Sequence, residues 1–108
     1  MNLNTMRKGD FAMTSKQRAY LSGLANTITP IHQVGKASLT PELISGLSDA
    51  LEKRELIKVS VLKNCADDPR EIADIIAERT HSQVVNVIGK KMIFYRRAKK
   101  NPKIQLPA

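Results

Sequence analysis

Between Ile57 and Val61 the chain reads Ile-Lys-Val-Ser-Val. This period of two, with Ile57, Val59 and Val61 on one side and Lys58 and Ser60 on the other, predicts a half-buried strand. Just before it the period is helical, and Leu43, Ile44, Leu47, Ala50 and Leu51 form one apolar stripe. That helix has a well-marked start: Thr40 as N-cap, Pro41 at the first helical position, where a missing N–H costs nothing, and Leu39 placed to pack against Ile44. The same grammar returns at Asp68-Pro69-Arg70-Glu71, opening a helix whose face carries Ile72, Ile75, Ile76 and Arg79. An earlier helix, capped by Thr14 or Ser15 and ending near Asn26, spaces Tyr20, Leu21, Leu24, Ala25 and Ile28. Pro30 blocks its continuation, and Ile31 to Val34 fit a short strand before Gly35. The β-branched Val84, Val85, Val87 and Ile88, a Gly89-Lys90 turn and Met92 to Tyr95 predict a terminal hairpin.

The resulting order, α-β-α-β-α-β-β, implies an α/β fold of α+β two-layer type, with helices packed on a four-stranded mixed sheet. A chain of 108 residues is the length of one domain. Residues 13–97 carry the pattern. Residues 1–12 show no periodicity and read as a leader or appended extension, with Met13 as a second, more natural beginning. Residues 98–108 form a basic tail.

Composition narrows the function classes. Aromatic residues make up 4% of the chain and Trp is absent, so the core is aliphatic and an aromatic-lined ligand pocket is disfavoured. Cys65 is the one cysteine, without a disulfide partner or a companion at zinc-site spacing, which points to a reducing, cytoplasmic setting. No stretch approaches the roughly 20 apolar residues of a membrane span. The net charge of +8 is unevenly distributed: ten basic and ten acidic residues precede Arg79, whereas eight basic and no acidic residues follow Glu78. A neutral body with a positive end suits a polyanion partner; a tail that merely aids solubility is the alternative.

Catalysis needs convergent groups of tuned acidity, and no motif ties His32 or His81 to Cys65 or to an acid pair. Cys65 reads as a small core residue. Asp67, Asp68, Glu71, Asp74 and Glu78 are better read as helix-capping and solvent-facing groups than as metal ligands. Neither enzyme activity, metal nor cofactor is therefore expected. Gly35, Lys36, Ala37 and Ser38 join a strand to a capped helix, where backbone N–H groups and the helix dipole favour phosphate, although such a segment is also an ordinary turn.

Several spaced runs together resemble one family. Thr14 to Leu21, Val34-Gly35-Lys36, Leu39-Thr40, Glu55 to Val59, Val87-Ile88-Gly89 and Phe94-Tyr95-Arg96 resemble the CRM domain, the chloroplast RNA splicing and ribosome maturation family, over about residues 14–97. The length resembles its bacterial single-domain YhbY-like branch. The resemblance implies a fold similar to the C-terminal domain of bacterial translation initiation factor three, and an RNA-binding role on large-subunit ribosomal precursors. It also implies that the loop, usually Gly-x-x-Gly in the family, lies against an RNA backbone. Ser38 stands where the second glycine usually falls; serine enters positive φ less readily, and its hydroxyl is a donor that a phosphate could use.

The expected contacts are then Gly35, Lys36, Ala37 and Ser38 on one stretch of RNA, with Lys90, Lys91, Arg96, Arg97, Lys99 and Lys100 on another. Recognition would be electrostatic and shape-based, with little base stacking, by a monomer. A protein-interaction module for ribosome assembly and a nonspecific nucleic-acid binder are the rival readings.

Overall fold

A computed structural model describes residues 13–107, so the extension expected at residues 1–12 lies outside the described residues. The elements follow the predicted order: α1 (Ser15–Ala25), β1 (His32–Val34), α2 (Pro41–Arg54), β2 (Leu56–Val61), α3 (Pro69–Thr80), β3 (Gln83–Ile88) and β4 (Lys91–Tyr95). Helix starts are set by the predicted caps. Thr14 and Gln17 form a reciprocal capping box on α1, Thr40 Oγ1 accepts the Leu43 amide, and the Asp68 carboxylate accepts the Arg70 amide.

The four strands form one mixed sheet in the order β1-β2-β4-β3, with β1 parallel to β2 and the remaining pairs antiparallel. Alternation in β2 and β4 gives the sheet two apolar faces. Ile57, Val59, Val61, Met92 and Phe94 face α2 and α3, where Leu47, Leu51, Ile72 and Ile76 complete the main core. Leu56, Ile93 and Tyr95 face the other way, onto Leu21 and Ala25 of α1, with Ile104 and Leu106 of the C-terminal segment alongside. The packing is thus three layers deep, not the two expected. The hydrophobic pattern of β4 is continuous because both of its faces are buried.

An irregularity in register between Val84 and Asn86 makes Val85 the extra residue of β3. The bulge changes the alternation. Val84 and Val87 therefore both pack toward the main core, while Val85 joins the α1 side.

Two helical stripes differ from the expected ones. On α3 the buried set is Ile72, Ala73, Ile76 and Thr80, while Ile75 is 41% exposed. The 72, 76, 80 row lies on one face, and Ile75 is rotated off it. On α1 only Leu21 and Ala25 are buried, leaving Tyr20 and Leu24 exposed, because a single helix covers this side of the sheet along a narrow seam.

Candidate functional site

Because β1 and β2 run parallel and β4 runs against them, the ends of β1 and β2 and the start of β4 share one edge of the domain. The Leu62 amide donates to the Val34 carbonyl at 2.8 Å, and the Val61 amide to the Lys90 carbonyl at 2.7 Å. Three connections consequently meet there: residues 35–40, residues 62–68 and the Gly89-Lys90 turn. Lys36, Lys63, Lys90 and Lys91 are all exposed at this edge.

The first connection begins with a tight turn, closed by the Ser38 amide donating to the Gly35 carbonyl at 2.9 Å. Ser38 itself is left-handed, with φ 55°. Its hydroxyl donates to the Asp67 carboxylate at 2.5 Å, so the donor expected to be available to a phosphate is already engaged. Gly35 does not have a positive φ, and a Cβ there would meet Leu62 Cδ1 at 3.5 Å and Asn64 Oδ1 at 3.7 Å, both ordinary contacts. The chain itself does not require glycine at 35. What its absent side chain provides is room for an approaching backbone.

The start of α2 is less open to an anion than its sequence suggests. Thr40 Oγ1 takes the Leu43 amide at 3.1 Å, the Ile44 amide bonds the Thr40 carbonyl at 3.0 Å, Pro41 has no N–H, and Glu42 brings a carboxylate into the first turn. The helix is capped largely by its own residues. Attraction for an anion at this edge comes chiefly from the lysines.

Arg96, Arg97, Lys99 and Lys100 lie at the other end of the sheet, beyond Tyr95. Strands of five to six residues at about 3.3 Å each put that end roughly 17–20 Å from the first. The structure therefore places Lys90 and Lys91 at the same edge as the Gly35 turn, at the opposite end of the sheet from the tail with which they were expected to act. Arg96 is also not a surface cation. Its Nη1 donates to Ser48 Oγ and to the Thr80 carbonyl at 3.0 and 2.7 Å, and its Nη2 to the Ser48 carbonyl at 2.8 Å, with Glu52 3.8 Å away. It fastens α2 to the end of α3. Arg97, Lys99 and Lys100 remain exposed.

The tail is held against the domain by two carboxylates. Glu52 accepts the Lys99 and Lys100 amides, and these bonds hold its carboxyl below the usual range. Glu55, 1% exposed, accepts the amides of Ala98, Lys103 and Ile104 at 3.0, 2.6 and 2.9 Å. Burial pushes the Glu55 carboxyl up, but the three amide donors and the Arg97 charge outweigh it and leave the group below its ordinary value.

Of the residues in this region, sequence reasoning did not single out Lys63 and read Asp67 only as a helix-capping or solvent-facing group. Both sit in the β2–α3 connection, which only the parallel pairing of β1 and β2 brings beside Gly35. The residues weighed for catalysis are scattered: Cys65 is buried in the main core, His81 is the left-handed cap of α3, and His32 lies beside α2 at Gly46. Among the described residues no three His, Cys, Asp or Glu side chains are grouped as a metal site would need.

The family model of the CRS1 / YhbY (CRM) domain matches residues 13–96. The chain belongs to this family. It is 42% identical over 95 residues to the probable RNA-binding protein YqeI of Bacillus subtilis, a match covering 88% of this chain and 99% of that protein. An RNA-binding protein of Haemophilus influenzae is 33% identical over 95 residues, covering 88% of this chain and 95% of the relative. Among solved structures, a Staphylococcus aureus protein proposed to bind RNA superposes with a TM-score of 0.75 at 46% identity, over 89% of this chain and all of that one.

Proposed function

We propose that this protein is a non-enzymatic RNA-binding protein of the cytoplasm that holds structured RNA, namely ribosomal RNA of large-subunit precursors, and aids their assembly. The observation that carries the reading is that Lys36, Lys63 and Lys90, from three separate connections, and Lys91, the first residue of β4, are exposed at the edge that also holds the Gly35–Ser38 turn. Relatives named as RNA-binding proteins support it.

The contact is to phosphates. Four lysines displayed along one edge match a run of backbone charges, and Gly35 lets the backbone come close. The domain offers few exposed rings on which bases could stack, so recognition follows the shape of the RNA, read through phosphates and 2′-hydroxyls. The exposed Arg97, Lys99 and Lys100, displayed at the far end by a tail fastened to the body, engage a second stretch of the same RNA. The protein works as a monomer in this scheme.

The test is sedimentation of tagged protein from cell extract, with sequencing of the RNA that accompanies it, for wild type and Lys36→Glu. Wild type travelling with large-subunit precursors, and Lys36→Glu released from them, is the expected result. If neither protein associates with ribosomal RNA, the assembly role fails and a protein-docking function takes its place. Equal affinity for structured RNA and duplex DNA at matched salt would instead point to a nonspecific nucleic-acid binder.

A further inference from the structure

We infer that Asp67 is a positioning residue of the Gly35–Ser38 turn, holding Ser38 in the left-handed conformation and doing for this chain what a glycine would otherwise do; this rests on the reading of the turn as an RNA contact. Ser38 has φ 55°, a region that side chains with a Cβ enter at a cost and glycine enters without one. The local turn is closed by one backbone bond, from the Ser38 amide to the Gly35 carbonyl. The additional restraint comes from a residue 29 positions away, the Asp67 carboxylate, which accepts the Ser38 hydroxyl at 2.5 Å.

A hydroxyl-to-carboxylate bond is among the stronger hydrogen bonds available to a protein. Its far anchor is firm. Asp67 directly precedes Asp68, the N-cap of α3, and follows closely on Cys65, which is buried in the main core. The bond thus ties the turn to the start of α3 and gives a serine turn the fixed shape needed for a close backbone approach.

The same carboxylate has an opposing effect. It is exposed at the same edge as Lys36, Lys63 and Lys90 and repels any phosphate drawn to them. Asp67 is therefore tolerated at a phosphate-facing edge because of what it does to Ser38. Removing its charge and removing its acceptor are expected to act in opposite directions, which separates positioning from simple electrostatics.

The experiment compares Asp67→Asn, which retains an acceptor oxygen but not the charge, with Asp67→Ala, which retains neither, each with Ser38 and with Ser38→Gly. Binding to a structured RNA is measured, together with the three-bond amide coupling of residue 38 read alongside its intraresidue amide-to-Hα NOE, which separates positive φ from the negative values that give the same coupling. With Ser38 present, Asp67→Asn binds RNA as tightly as wild type or tighter, whereas Asp67→Ala binds about tenfold more weakly than Asp67→Asn, a difference of about 1.4 kcal/mol. Its coupling at residue 38 moves away from the left-handed value. In the Ser38→Gly background the two substitutions become equivalent.

Equal binding by Asp67→Asn and Asp67→Ala with Ser38 present, together with an unchanged coupling in Asp67→Ala, would overturn the inference. A gap between them that persists with glycine at 38 would also overturn it, since the effect would then not pass through Ser38. If wild type binds no RNA, the functional reading fails by itself, and the coupling measurement still decides whether Asp67 sets the turn.

Discussion

Glu55 and Lys103 are 48 residues apart in sequence, and the Lys103 amide donates to the Glu55 carboxylate at 2.6 Å. With the Ala98 and Ile104 amides on the same carboxylate, and the Arg96 amide on the Glu55 carbonyl, one residue at the end of α2 organises the whole segment that follows β4. A basic tail without such a partner would be a charged, unstructured arm. Here its backbone is satisfied by carboxylates, and Ile104 and Leu106 are drawn onto the α1 side of the sheet.

This arrangement makes part of the stability depend on pH. The Glu55 carboxyl is lower in the folded protein than its ordinary value of 4.5. Folding therefore favours the ionised form, and that contribution is complete above the ordinary value and lost as the pH falls through the depressed one. Glu55→Gln is expected to destabilise by about 2–4 kcal/mol at neutral pH, because its amide cannot accept three N–H groups as a carboxylate does. Urea unfolding at pH 7 and at successively lower pH checks both parts: wild type loses its advantage over the variant in acid, with faster amide exchange at Ile104 as the accompanying sign.

Arg96 is expected to behave as a structural residue. Arg96→Ala removes the guanidinium bonds to Ser48 and to the Thr80 carbonyl that join α2 to the end of α3 in a partly buried setting. A loss of about 2 kcal/mol of folding stability follows from charge-assisted bonds of this kind. In the cold, where the variant remains folded, the salt dependence of RNA binding should match wild type. A reduced salt slope in the folded variant would return Arg96 to the set of phosphate contacts.

At the β3–β4 turn Gly89 has φ 58°, and a Cβ there would meet nothing within 4 Å. The cost of Gly89→Ala is therefore conformational, about 1 kcal/mol, seen as a lowered urea midpoint. A fall in RNA affinity larger than the stability change explains would indicate that the turn also approaches the ligand.

Much of this fold is legible in local pattern. The alternation at Ile57–Val61 and the caps at Thr40 and Asp68 each rest on neighbours a few residues away, and the structure places the elements accordingly. The third layer is not legible in that way, because it depends on Leu56, Ile93 and Tyr95 facing opposite to Ile57, Met92 and Phe94, where β2 offers only Leu56 as an apolar residue on that side and the unbroken apolar run of β4 has no alternation to read. The candidate site divides similarly. The Gly35–Ser38 segment is visible as a strand-to-helix junction, but its companions Lys63 and Asp67 come from a connection that only the strand order brings near. Arg96 was indistinguishable in sequence from its exposed neighbour Arg97. Adjacent positions at a strand end point to opposite sides, and the Thr80 carbonyl and Ser48 occupy one of them.

The separation of basic residues into two ends gives a quantitative prediction for binding. If about four phosphates are neutralised by Lys36, Lys63, Lys90 and Lys91, a slope of roughly −0.7 to −0.9 per contact weakens binding about 50- to 150-fold when salt rises fourfold. Replacing Lys36 or Lys90 by Ala should remove roughly one contact, reducing that slope by about 0.7 to 0.9 on any RNA long enough to cover the loop edge. Lys99→Ala with Lys100→Ala should differ: on a short RNA that cannot span the roughly 17–20 Å between the two ends of the sheet, it leaves the slope of the loop edge unchanged. On a longer folded RNA it lowers the slope by up to two contacts. Fluorescence titrations of the three variants over a salt series, with one short and one long structured RNA, make the comparison. Equal losses from both ends on the short RNA would mean that the ends act as one surface.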